Sequence, residues 1–130
     1  MAISNITPIE AKKLSEQGAV IIDIREAYEF EHEHIDGAQN LPLSKINNDS
    51  VPAGSIVIYH CKSGIRTQAN AARLPSEGCT AYILKGGIGA WKKAGMDVQV
   101  GKVQPRGFMR QFLIGAILFV VIALALSVFR

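Results

Sequence analysis

Three short apolar runs constrain what this chain can fold into: VIIDI at residues 20–24, IVIYH at 56–60 and AYIL at 81–84. The first two are rich in β-branched side chains, and none alternates polar with apolar residues. Each therefore reads as a strand buried on both faces of its sheet. The stretches between them are helical in pattern. Strand and helix alternating at this spacing predict an α/β domain, with helices flanking a mainly parallel central sheet. At 130 residues the chain has the length of one ordinary domain.

Local signals place the other elements. Thr7-Pro8-Ile9-Glu10 carries the parts of a capping box, with proline at the first helical position. It predicts a helix running to about Gln17 and stopped at Gly18. A short charged helix is expected over 25–31, a small strand over 39–41 and a turn over 52–54. Residues 61–66 read as a loop and 67–74 as a helix that Pro75 must end or kink. Gly86-Gly87 reads as a turn, followed by a last short helix over 88–94 that stops at Gly95.

Residues 112–129, FLIGAILFVVIALALSVF, contain no charged side chain. As a helix they span roughly 27 Å, close to the ~30 Å hydrocarbon core of a bilayer. A helix satisfies its own backbone in lipid. The expected organisation is a domain over 1–100, a basic juxtamembrane linker over 101–111 and a transmembrane helix over 112–130. The N-terminus MAISNITPIEAKK has no basic start leading into an apolar stretch, so it is not read as a secretory signal. Lys102, Arg106 and Arg110 precede the apolar run and Arg130 follows it, which orients the domain to the cytoplasmic side. Gly115, Ala116, Ala123 and Ser127 are small residues that permit close helix approach, which would allow a homodimer through this segment.

Charge is uneven along the chain. Residues 1–50 hold nine acidic against four basic side chains, and residues 51–111 hold nine basic against two acidic. The second half should attract anions. Its basic residues are dispersed and lack interleaved aromatics, so nucleic acid is not the expected partner. Two cysteines, Cys61 and Cys79, do not make a disulfide framework.

The unit that points to chemistry is a buried strand leading into Cys61, then a tight loop, then a helix. Such a loop turns backbone N–H groups toward one point, and together with the helix dipole they form an anion site. A thiol at its first position is stabilised as thiolate. Gly64 fits a turn that a side chain would obstruct. Lys62 and Arg66 add positive charge, and Arg66 offers a planar fork for an oxyanion. The parts describe a nucleophilic thiolate in an oxyanion cradle.

Cys61-Lys62-Ser63-Gly64-Ile65-Arg66 matches the C-x-x-G-x-R active-site loop of rhodanese-domain sulfurtransferases. Asp23-Ile24-Arg25-Glu26-Ala27-Tyr28-Glu29-Phe30, with His34-Ile35-Asp36-Gly37-Ala38, resembles the family's D-x-R-x-x-x-E-F and H-I-x-G-A segments. Leu84-Lys85-Gly86-Gly87-Ile88-Gly89-Ala90-Trp91, then Ala94-Gly95, resembles its closing segment. The three motifs cover roughly residues 3–100 in order. With its apolar tail the chain is similar to bacterial membrane-associated single-domain rhodaneses, which implies a bacterial inner membrane.

The resemblance implies that Cys61 accepts sulfane sulfur from a small anionic donor such as thiosulfate, forming a persulfide. A thiophilic acceptor, cyanide or a thiol or protein acceptor, then removes it. Residues Lys62, Ser63, Gly64, Ile65 and Arg66 would bind the substrate, with neither cofactor nor metal. Two other readings use the same thiolate: a membrane-tethered sulfur carrier or redox-sensing cysteine without turnover, and a phosphatase or arsenate reductase. Relatives with the latter chemistries carry a loop one residue longer than the one between Cys61 and Arg66. Glu33, where the family has glycine, and Pro75, where its helix continues, depart from the pattern outside the Cys61 loop.

Other residues invite chemistry less strongly. His32 and His34, two apart on an expected helix, point to different faces and lack a cysteine pair to complete a metal site. His60 adjoins Cys61, but strand neighbours face opposite ways, which argues against a general base. Cys79 is expected buried and inert at the entry to the third strand, and Trp91 to pack the last helix on the sheet.

Overall fold

The capping box at Thr7 closes as its sequence demands in the computed structural model, which describes residues 3–101. The Thr7 hydroxyl accepts from the Glu10 N–H, and the Glu10 carboxylate accepts from the Thr7 N–H. The expected linker beyond Gly101 and the expected transmembrane helix over 112–130 lie outside the described residues. Among those described, no helix is long and apolar enough to cross a membrane.

In chain order the elements are β1 (Ser4–Ile6), α1 (Pro8–Glu16), β2 (Val20–Asp23), α2 (Ala27–His32), β3 (Glu33–Ile35), β4 (Gln39–Asn40), β5 (Ile56–His60), α3 (Ile65–Ala69), β6 (Thr80–Leu84), α4 (Gly87–Lys93) and β7 (Val98–Val100). Short 3-10 turns occupy Asn48–Ser50 and Ala71–Arg73. The five-stranded sheet has the order β1-β6-β5-β2-β4, with every neighbouring pair parallel. The three anticipated strands are its three central ones, because only they are buried on both faces.

Strand periodicity divides the core in two. Ile21, Ile58 and Leu84 face α1 and α4, where Ala11, Ile88 and Trp91 complete one layer. Ile22, Val57, Tyr59 and Ile83 face the opposite way, against Leu74, Val51 and Leu43, and Cys61 extends that row beyond β5. His60 falls on the Ile58 side. Trp91 packs α4 on the sheet as expected and donates its indole N–H to the Asp97 carbonyl at 2.9 Å. Burial of each such side chain contributes about 1.5–3 kcal/mol.

Two expectations are corrected. The helix expected over 67–74 begins earlier, at Ile65, and ends at Ala69. Pro75 forces Leu74 into extended backbone (ψ 131°), so the chain tightens through a 3-10 turn before it instead of continuing as α-helix. His34 is not on a helix; it lies in β3, which pairs antiparallel with β7. Neither β3, β7 nor β1 is visible in local pattern, because each is three residues long and is stabilised only by a remote partner.

Candidate functional site

Cys61 directly follows β5, the middle strand of the sheet, at its carboxyl end. Open parallel sheets bind ligands outside those ends. The side chain is 1% exposed. Its Sγ accepts the Gly64 N–H at 3.1 Å, and the Thr67 hydroxyl lies 3.7 Å away. Gly64 has φ +95°, and a Cβ there would stand 3.3 Å from the Gly86 nitrogen. A residue without a side chain is what lets this N–H turn back onto the sulfur.

Burial alone would push the Cys61 thiol up. The N–H groups of Thr67, Gly64 and Arg66 outweigh it and hold the thiol below its ordinary value. Helix α3 has five residues, so this stabilisation comes from individual donors more than from a long helix dipole. Thr67 is the residue the sequence reading missed. It is wholly buried, donates to the Gly64 carbonyl at 3.0 Å and sits one residue past the C-x-x-G-x-R motif.

The loop is held from behind by α4. The Ile88 N–H donates to the Cys61 carbonyl at 2.9 Å and the Gly89 N–H to the Lys62 carbonyl at 3.0 Å. In a planar trans peptide the carbonyl and the following N–H point in opposite directions. Anchoring these two carbonyls on α4 therefore turns the N–H groups of Lys62 and Ser63 to the far side. None of the described residues accepts from either. The Gly86-Gly87 pair, expected only as a turn, is thus part of the site: a Cβ on Gly87 would meet the Cys61 oxygen at 2.3 Å.

Arg66 does not offer its fork to the loop. Both ends of its guanidinium donate to the Glu29 carboxylate of α2, each at 2.8 Å. Lys62, Ser63 and Ile65 are exposed on the outside of the loop. Of the six residues predicted for the site, Cys61 and Gly64 converge, Lys62 and Ser63 contribute backbone N–H groups unpartnered among the described residues, Ile65 is exposed, and Arg66 braces the loop against α2.

The Arg66 hydrogen bonds hold the Glu29 carboxyl below the usual range, against the effect of burial. A lowered folded value means the pair stabilises above the unfolded carboxylate value, about 4, and is lost as pH falls through the lowered one. Arg66 is 41% exposed, so the contribution is screened and stays below about 1 kcal/mol. Glu29→Gln should therefore be slightly less stable than wild type at pH 7 and equal to it in acid. Denaturant midpoints compared across that range check this; a gap that persists to about pH 2 would exclude the pair as its cause.

Behind the loop lies a buried polar cluster. The Asp23 carboxylate accepts the Arg25 backbone N–H at 2.9 Å, its Nε at 3.0 Å and its Nη2 at 2.8 Å. Arg25 Nη2 also donates to the Glu33 carbonyl at 2.6 Å, tying β2 to β3. His60 Nδ1 is 3.1 Å from the Cys61 carbonyl, and the ring lies on the sheet face opposite the sulfur, as expected. Cys79 is half-buried, with its Sγ 3.7 Å from the Pro75 carbonyl, and both cysteines are free.

The sequence pattern of the Rhodanese-like domain matches residues 7–94. A Synechocystis protein without assigned function is 39% identical over 110 residues, covering 82% of this chain and 62% of its own length. A Pseudomonas fluorescens protein named thiosulfate sulfurtransferase GlpE is 36% identical over 91 residues, covering 67% of this chain and 83% of its own. The chain thus spans less than two thirds of the first relative and most of the second. A rhodanese-related protein of Thermoplasma volcanium superposes with a TM-score of 0.65 at 21% identity, over 74% of this chain and 97% of its own, which supports the fold. With the Cys61 loop, its anchoring on α4 and these relatives in agreement, the chain belongs to the rhodanese-like domain family.

Proposed function

We propose that this protein is a sulfurtransferase that carries sulfane sulfur on Cys61. The observation that carries the reading is the Gly64 N–H donated to Cys61 Sγ, within a loop whose next two N–H groups are turned away from α4 and unpartnered among the described residues. The Cys61 thiolate attacks the outer sulfur of thiosulfate. A bond forms between the two sulfurs, the sulfur–sulfur bond of the donor breaks, and sulfite leaves with the bonding pair. The persulfide anion that remains is stabilised by N–H donors as the thiolate was. An acceptor nucleophile, cyanide or a thiolate, then bonds to the outer sulfur and releases the Cys61 thiolate. The exposed Lys62 ammonium adds positive charge at the mouth, which favours an anionic donor. Closure of the Arg66 fork on Glu29 weighs against phosphate or arsenate chemistry, which would need that fork on the substrate.

Treatment with thiosulfate should add one sulfur to the protein, mapped to the Cys61 peptide and absent from the Cys79 peptide. Cyanide should discharge it as thiocyanate. Cys61→Ser should take up none. Wild-type protein that gains no sulfur while Cys61 remains open to alkylation would refute the proposal.

A further inference from the structure

We infer that His60 is a positioning residue for this chemistry, holding the Cys61 carbonyl with its ring Nδ1–H and so helping to set the direction of the Lys62 N–H. The inference rests on the proposed role of Cys61. A carbonyl oxygen only accepts, so the ring nitrogen 3.1 Å from it must carry the proton. The groups that act on the ring include Asp23 from β2, Arg25 just beyond it, and the Cys61 peptide. Burial pushes the His60 pKa down more strongly than the Asp23 carboxylate raises it, which leaves the ring neutral near pH 7. Its second nitrogen, Nε2, is 3.7 Å from Asp23 Oδ2 and has no hydrogen-bond partner among the described residues. Asp23 is already engaged by Arg25 through backbone and side chain. The ring is thus oriented by its bond to Cys61, not by its acidic neighbour.

The Cys61 carbonyl consequently takes two donors, the His60 ring from its own strand and the Ile88 N–H from α4. A carbonyl has two lone pairs, and here both are used. One donor would leave the Cys61–Lys62 peptide plane free to swing; two from different elements fix it. A histidine kept only for packing would be replaceable by an apolar side chain of similar size without effect on chemistry.

The test uses the full chain in detergent. In the wild type, a nitrogen–proton correlation spectrum of His60 should show the neutral Nδ1–H tautomer between about pH 6 and 8. His60→Leu fills the space without a donor. It should lower kcat about tenfold with KM little changed, the rate equivalent of roughly one hydrogen bond. It should also shift Cys61 alkylation to higher pH, because a loosened peptide weakens the Gly64 donor on sulfur. His60→Asn, which restores an N–H near Nδ1, should recover most of both. An Nε2–H tautomer, a folded His60→Leu variant with wild-type kcat and alkylation profile, or an Asn variant as impaired as Leu would overturn the inference. Should His60→Leu not fold, the tautomer and the Asn variant decide. Tautomer and alkylation need no sulfur donor, so they judge His60 even if sulfur transfer itself fails.

Discussion

Gly87→Ala is expected to lower sulfur-transfer turnover by at least about 100-fold and to destabilise the domain by about 3 kcal/mol. The added methyl would stand 2.3 Å from the Cys61 oxygen and 2.8 Å from the carbon and oxygen of Lys62. These are backbone atoms and cannot swing aside as a side-chain end would. Relief requires the loop to move from α4, which gives up the Ile88 and Gly89 bonds that aim its N–H groups. The backbone at Gly87 also has φ +59°, a conformation costing an alanine about 1–2 kcal/mol. Gly95→Ala separates the two effects. It too has positive φ, but a Cβ there meets nothing within 4 Å. Its loss should be near 1 kcal/mol with turnover intact. Urea midpoints and steady-state rates of both variants check this; Gly87→Ala with wild-type turnover would show that α4 does not hold the loop.

Asp23→Ala should cost about 3–5 kcal/mol, a large part of the stability of a domain this size. Asp23 is wholly buried and Arg25 is 5% exposed. Removing the carboxylate strands a guanidinium that loses three hydrogen bonds from its Nε and Nη2 and retains, among the described residues, only the Glu33 carbonyl. The cost lies in the uncompensated buried charge, not in the net worth of the pair. Replacing both partners, Asp23→Leu with Arg25→Met, should therefore cost clearly less than Asp23→Ala alone. Denaturation midpoints of the three variants measure the difference. A single-site loss below 1 kcal/mol would mean that solvent reaches the cluster.

Much of the site was legible because its determinants are neighbours in sequence. The β-branched run that ends at His60 places Cys61 at a strand tip, and Gly64 three residues later is the donor that reaches back to its sulfur. The capping box at Thr7 needs four consecutive residues and folded as read. The partner of Arg66 is not legible, for the opposite reason. Its charge and position suggest an anion fork, but the group that claims it, Glu29, comes from another element, and nothing local says which acid will arrive.

The sequence by itself determined the α/β class, the three central strands, the cysteine at the strand tip and the glycine that makes its turn, since these follow from local propensity and from motifs of adjacent residues. Tertiary structure alone decided that α4 grips the Cys61 and Lys62 carbonyls, that Arg66 braces the loop, and that β3 finds β7. Each of these depends on the direction of a backbone or side-chain group relative to a distant segment. That direction is set by how the layers pack, and residue identity alone does not encode it.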